Sequence, residues 1–139
     1  MMVKNYSISL ETNGFCHVLN ITDQVREYVV GSGVSAGVAT LFVMGSTAGI
    51  TTLEYEPGCV KDFEELFNKL APLTLDYHHE QAWHDGNGFS HVRASLLKPS
   101  LVVPLEVGKL KLGAWQKIVV VDFDNRQRSR EVAVQVMGE

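Results

Sequence analysis

The runs Leu101-Val102-Val103-Pro104-Leu105, Trp115-Gln116-Lys117-Ile118-Val119-Val120-Val121-Asp122-Phe123 and Arg130-Glu131-Val132-Ala133-Val134-Gln135-Val136 decide the fold, because they follow one another with turn formers between them and no helical spacing. Lys109-Leu110-Lys111-Leu112 adds a strand after the Val107-Gly108 turn, and Asp124-Asn125-Arg126-Gln127 turns the chain into the last run. The C-terminal third is therefore all β. Upstream, Gly37 to Val43 is apolar on both faces, as in a central strand, and breaks at Gly45-Ser46-Thr47-Ala48-Gly49 before the β-rich Ile50 to Glu54. Tyr6 to Leu10 alternates and meets Phe15 to Leu19 across Thr12-Asn13-Gly14, which predicts a hairpin. Helical spacing predicts helices over about 23–31, from Val60 to the stop at Pro72, and over 91–97 before Pro99. The order ββαββααββββ lacks regular strand–helix alternation, so the reading is an α+β domain, residues 1–139, with mixed or antiparallel β-sheet layers and two to three helices.

Composition agrees with one core. The 139 residues are 45% apolar, and twelve Lys and Arg against sixteen Asp and Glu give a formal charge of −4. That balance argues against a nucleic-acid partner, since phosphate backbones are held by excess positive charge. No apolar run is long enough to span a bilayer and Met1 to Asn5 lacks the apolar centre of a secretion signal, so the expectation is a soluble, cytoplasmic protein without a membrane partner. Cys16 and Cys59 stand in no paired motif and read as small buried apolar groups.

Four of the five histidines, His78, His79, His84 and His91, fall within fourteen residues that also hold Glu80 and Asp85. On a helix the step from His79 to His84 would part the two imidazoles by about 140°, so this is not the zinc-protease pattern. As an irregular loop the segment can bring two or three nitrogens, from His79, His84 and His91, and a carboxylate to one divalent ion with a position left for water. The plainer alternative is a hydrated loop whose imidazoles bond backbone groups; His17, alone on a strand, reads as structural. Asp85-Gly86-Asn87-Gly88 permits a sharp bend and close backbone approach to a ligand, or forms a surface turn. The N–H groups near Phe89 and Ser90 favour an anion, unless Ser90 merely caps the helix. Gly45 to Gly49 suits hydroxyl and backbone contact with an anion but lacks the lysine of a nucleotide P-loop, and a tight connection is the commoner reading of such a motif. Arg126, Arg128 and Arg130 step by two and share a strand face, either for an acidic ligand or as a solvated edge strand. Trp115 reads as core, and Gln116 beside it needs a partner if buried. Ser90, His91 and Asp85 could form a nucleophile triad, but no Gly-x-Ser-x-Gly elbow accompanies them.

Taken together, Trp83 to Ser100 (WHDGNGFSHVRASLLKPS), Pro104, Gly108 to Gln116, Gly45-Ser46-Thr47-Ala48, Thr51 to Gly58, Tyr77-x-His79-Glu80 and Asp122-Phe123-Asp124 resemble the YjbQ-like family, also called the secondary thiamine-phosphate synthase enzyme family. The resemblance implies a YjbQ-like α+β fold, a homotrimer, and a metal and anion site at His79, Asp85, Asn87 and His91. Its implied reaction joins hydroxymethylpyrimidine diphosphate to thiazole phosphate, giving thiamine phosphate and diphosphate. A different class of function, a trimeric metal- or phosphometabolite-binding protein without turnover, fits the same residues. On either reading His79 and His91, with Asp85 and His84, hold a Zn²⁺ or Mg²⁺ ion. Ser46, Thr47, Ser95 and Gln116 then meet phosphate oxygens or the substrate ring. Gly45 and Phe89 stand where many relatives carry histidine, each removing an imidazole.

Overall fold

Two 11-residue strands, β1 (Met2–Thr12) and β8 (Arg128–Gly138), pair antiparallel along their whole length, from Met2 opposite Gly138 to Thr12 opposite Arg128. The computed structural model, which describes residues 1–139, adds β3 (Gly37–Val43), β5 (Ser100–Glu106) and β6 (Lys109–Leu110) to make a five-stranded sheet in the order β1-β8-β3-β5-β6. A second sheet, β2-β7-β4, comprises β2 (His17–Asn20), β7 (Gln116–Asp122) and β4 (Ala48–Glu54). Every pairing is antiparallel.

Four helices complete the chain: α1 (Thr22–Ser32), α2 (Pro57–Leu70), α3 (His79–Trp83) and α4 (Gly88–Leu97). The α+β reading stands, and the added helix is the five-residue α3, too short to carry an apolar period. At the start of α2 the Glu56 carboxylate accepts the N–H groups of Gly58 and Cys59, with Pro57 at the first helical position.

The layers follow from alternation. Ile118 and Val120 of β7 join Val132, Val134, Val136, Leu41 and the α1 residues Val25 and Val29 in one core. Val119, Val121 and Phe123 point the other way, into a second core with Val18, Cys16, Phe67 of α2 and Ala94 of α4. β7 is thus covered on both faces, which explains its unbroken apolar run. The resulting stack is five-stranded sheet, three-stranded sheet, then α2 and α4.

Three expectations change here. The predicted hairpin does not form, because β1 and β2 enter different sheets. Three successive left-handed residues, Gly14 (φ 72°), Phe15 (φ 49°) and Cys16 (φ 63°), carry the chain across, with Gly14 pressed against the carbonyls of Asp124 and Arg126. β8 is no solvated edge strand, since it lies between β1 and β3, with Arg130 buried at its start. Trp115 is also not core: it precedes β7 and is 74% exposed. No helix is long and apolar enough to cross a membrane.

Candidate functional site

Charged residues at the end of β7, at the start of β8 and in the turn between them set up the site. Asp122 ends the apolar run of β7, and its Oδ2 accepts from Arg130 Nε (2.7 Å) and Thr12 Oγ1 (2.5 Å), while Oδ1 accepts from Arg130 Nη2 (3.0 Å) and the Asp124 N–H (3.0 Å). Asp124 Oδ2 accepts from Arg128 Nε (2.8 Å) and Thr47 Oγ1 (2.9 Å); its Oδ1 accepts from the Asn125 N–H (2.8 Å) and Asn87 Nδ2 (3.2 Å). Both carboxylates are fully buried. Two guanidinium charges offset them, and nearly every carboxylate lone pair has a donor, the condition under which buried charge is tolerated.

The same donors keep Asp124 ionised. Burial alone would raise its pKa, but the Asn125 N–H, Asn87, Thr47 and Arg128 together hold it below its ordinary 3.8. A carboxyl whose folded pKa is depressed contributes stability fully above the unfolded value and loses it as pH falls through the folded one. The stability difference between wild type and Asp124→Asn, read from urea denaturation, is therefore expected to shrink as pH falls below about 4. A difference constant from neutral to acid pH would contradict this.

This ionic cluster floors a cleft of about 390 Å³ lined by Gly45, Ser46, Thr47, His79, Trp83, Asp85, Asn87, His91, Asp124, Arg128 and Arg130. Arg128 spends only Nε on Asp124, and Arg130 only Nε and Nη2 on Asp122 and Thr47, so both Arg128 Nη groups and Arg130 Nη1 stay available to a ligand. Gly45 bends over Arg130 at φ 121°, where a Cβ would stand 2.5 Å from Nη1. On another wall the rings of His79, first residue of α3, and His91 of α4 lie with centroids 4.3 Å apart, tilted by 50°. His79 Nε2 stands 3.4 Å from Asp85 Oδ1, too far for a good hydrogen bond, and is buried without a partner. Asn87 Oδ1 is the other buried orphan. A buried polar atom without a partner costs stability unless a ligand satisfies it, and both such atoms belong to residues of this cleft. Burial, then the neighbouring His79, lowers the pKa of His91 below its ordinary 6.5, against the pull of Asp124, Asp85 and Glu80. Its imidazole is consequently neutral at pH 7, with a lone pair to offer.

Besides the imidazole contact, a hydrogen bond ties α4 to α3: Glu80 Oε1 accepts the Gly88 N–H at 2.6 Å. This carboxylate occupies the helix N-terminus at which the sequence suggested an anion, and Ser90 Oγ donates to the Asn87 carbonyl instead of capping. A Cβ on Gly88 would overlap that of Tyr77 and stand 2.7 Å from Glu80 Oε1. Gly88→Ala is accordingly expected to destabilise by about 1–3 kcal/mol in urea denaturation; a change within about 0.5 kcal/mol would contradict that packing.

Among the residues singled out from sequence, His79, Asp85, Asn87, His91, Ser46 and Thr47 converge on the cleft. The Thr47 hydroxyl is committed, donating to Asp124 and accepting from Arg130, so it holds the cluster together. His84 ends α3 in a left-handed conformation, exposed and outside the cleft lining. Ser95 is exposed, and its Oγ donates to the His91 carbonyl. Gln116 lies at the far end of β7, donating to Thr52 Oγ1 and accepting the Gly113 N–H, away from the histidines. His17 is structural, its Nδ1 accepting the Asn13 N–H. Sequence reasoning missed the roles of Asp124 and Trp83; for Arg128 and Arg130 it offered an acidic ligand or a solvated edge strand, but not the ion pairs with Asp124 and Asp122 that fix them. The available signal was two aspartates bracketing Phe123 directly after four apolar strand residues, with Arg130 eight positions beyond Asp122 and Arg128 four beyond Asp124.

As ligands for a divalent ion the side chains fit in kind but fall short in number. His79 offers an unpartnered nitrogen, yet no three His, Cys, Asp or Glu side chains converge to hold an ion. Oxygens of a bound ligand would have to complete the coordination.

A layered antiparallel α+β domain with an ionic floor and two facing imidazoles defines the class. The model of the family described as UPF0047 protein YjbQ-like matches residues 6–139, and the chain belongs to that family. A UPF0047 protein of Archaeoglobus fulgidus is 35% identical over 130 residues, 94% of this chain and 98% of its own. Among solved structures, a YjbQ/UPF0047 family protein of Clostridium acetobutylicum is 38% identical, covers 95% of this chain and 99% of its own, and superposes with a TM-score of 0.87. A YbjQ-like protein of Sulfolobus solfataricus, of unknown function, reaches 0.89 at 30% identity over 99% and 100%.

Proposed function

We propose that the cleft binds the phosphorylated end of a small metabolite, and that the reaction served is a thiamine phosphate synthase-type transfer. The observation that supports phosphate binding is the set of unspent Arg128 and Arg130 N–H groups facing the same cleft as the unpartnered His79 Nε2. In the transfer, the thiazole nitrogen forms a bond to the pyrimidine methylene carbon while the C–O bond to diphosphate breaks, the electron pair leaving on oxygen. The arginine donors and the Ser46 hydroxyl stabilise the departing charge, and a floor already fixed by Asp122 and Asp124 does so without reorganising. Trp83, the aromatic side chain of the lining, offers a face to the pyrimidine. A Zn²⁺ or Mg²⁺ ion arriving with the diphosphate, held by His79 and His91, would neutralise part of its charge.

One observation favours the second reading, binding without turnover. Two heterocycles must be held for the condensation, whereas Trp83 is 72% exposed and the rest of the lining is polar or glycine. Purified protein given both phosphorylated substrates with Mg²⁺ or Zn²⁺ separates the readings. Released thiamine phosphate supports the transfer, calorimetric binding with no product over hours supports the binding protein, and absence of binding contradicts both.

We also propose assembly as a homotrimer through the outer face of the five-stranded sheet. That face exposes Val3, Phe42, Val102 and Met137, with Val3 directly opposite Met137. Sedimentation is expected to give a trimer that Phe42→Asp dissociates; a wild-type monomer would contradict the proposal.

A further inference from the structure

Gly45, Ser46 and His91 line two cavities. Beyond the charged cleft lies a smaller one of about 200 Å³, closed by Ala48, Ala94, Ser95 and Pro99. The two differ in chemistry: Asp85, Asp124, Arg128, Arg130 and His79 all lie in the larger, while the smaller has no charged side chain and only hydroxyl, methyl and ring surface besides His91. A phosphate finds no opposite charge in such walls, whereas an uncharged group gains by leaving water. The shared wall means that one ligand can occupy both cavities only by passing Ser46 and the His91 ring.

From this we infer that the site is two-chambered and selects a phosphomonoester whose body is small, uncharged and partly apolar. The phosphoryl group lies over Arg128 and Arg130, and the body enters the chamber behind His91, where Ser95 sets its size limit. The inference rests on the phosphate-binding reading above and adds to it the class of the organic part. Ser95 is the residue to vary, since it is exposed and its side-chain bond runs only to the His91 carbonyl four residues earlier. A larger side chain there fills the small chamber without touching the arginines.

The test compares inorganic phosphate with phenyl phosphate by calorimetry, on wild type and on Ser95→Leu, each with and without Zn²⁺. Wild type is expected to bind phenyl phosphate roughly tenfold or more tighter than inorganic phosphate, the gain from burying the ring. Ser95→Leu is expected to abolish that advantage and leave the inorganic phosphate affinity within about twofold, which also reports an intact fold. If both probes bind but wild type shows no preference, or Ser95→Leu keeps it, the second chamber is overturned while the phosphate site stands. If wild type binds neither probe in any condition, the phosphate reading falls, and the chamber with it.

Discussion

Arg130→Met is expected to cost about 3–5 kcal/mol of stability, because it leaves Asp122 charged, fully buried and short of its strongest donors. The loss extends beyond one pair. Arg130 Nη2 also meets Thr47 Oγ1 and stands 3.7 Å from Asp124 Oδ2, so its removal loosens the connection between β3 and β4, leaving Thr47 tied to the floor of the cleft through Asp124 and the Phe123 N–H. Thermal unfolding should fall by roughly 10 °C or more. The double variant Asp122→Leu/Arg130→Met should recover most of that stability, since no uncompensated charge remains, but it should not recover diphosphate binding. A single variant within about 1 kcal/mol of wild type would show that water reaches Asp122, and would remove the cluster as the rigid floor of the site.

His91→Ala is expected to have the largest effect on function. The ring packs on His79, lines the cleft and is neutral at pH 7, so its loss removes a nitrogen donor and half of the imidazole pair. Diphosphate affinity in the presence of Zn²⁺ should weaken by about 10- to 100-fold, in line with the loss of one bond to a charged group. Metal content by elemental analysis should fall in parallel. Stability should change little, because His91 is only half-buried on the cleft wall. Unchanged metal content together with unchanged affinity would take His91 out of the site.

How far the fold was readable follows from the residues. β7 and β8 declared themselves because Ile118 to Val121 is an unbroken apolar run and Val132 to Val136 alternates, and the same residues form the two cores. The hairpin expectation failed at Gly14, because a turn signal tells where a chain bends and not which strand it meets afterwards; β8 offered β1 an 11-residue ladder. Trp115 misled because aromatic character implies burial only where a layer covers the strand end, and none covers this one. In the site, the histidine-rich segment was visible by density alone. His79 and His91 meet where Glu80 bonds the N-terminus of α4, a tertiary contact. The solvated-edge reading of the β8 arginines failed for a related reason. Arg128 and Arg130 look solvated in a strand taken by itself, and their partners Asp124 and Asp122 meet them across the turn that joins β7 to β8.

The central claim is that one ligand joins the imidazole wall to the arginine floor. Crystals grown with zinc and diphosphate, measured at the zinc absorption edge, test it most directly. The account predicts an anomalous peak within bonding distance of nitrogens of both His79 and His91, with diphosphate oxygens running from it to Arg128 and Arg130. Zinc bound only at the exposed His78 or His84, with diphosphate absent from the arginines, would contradict it.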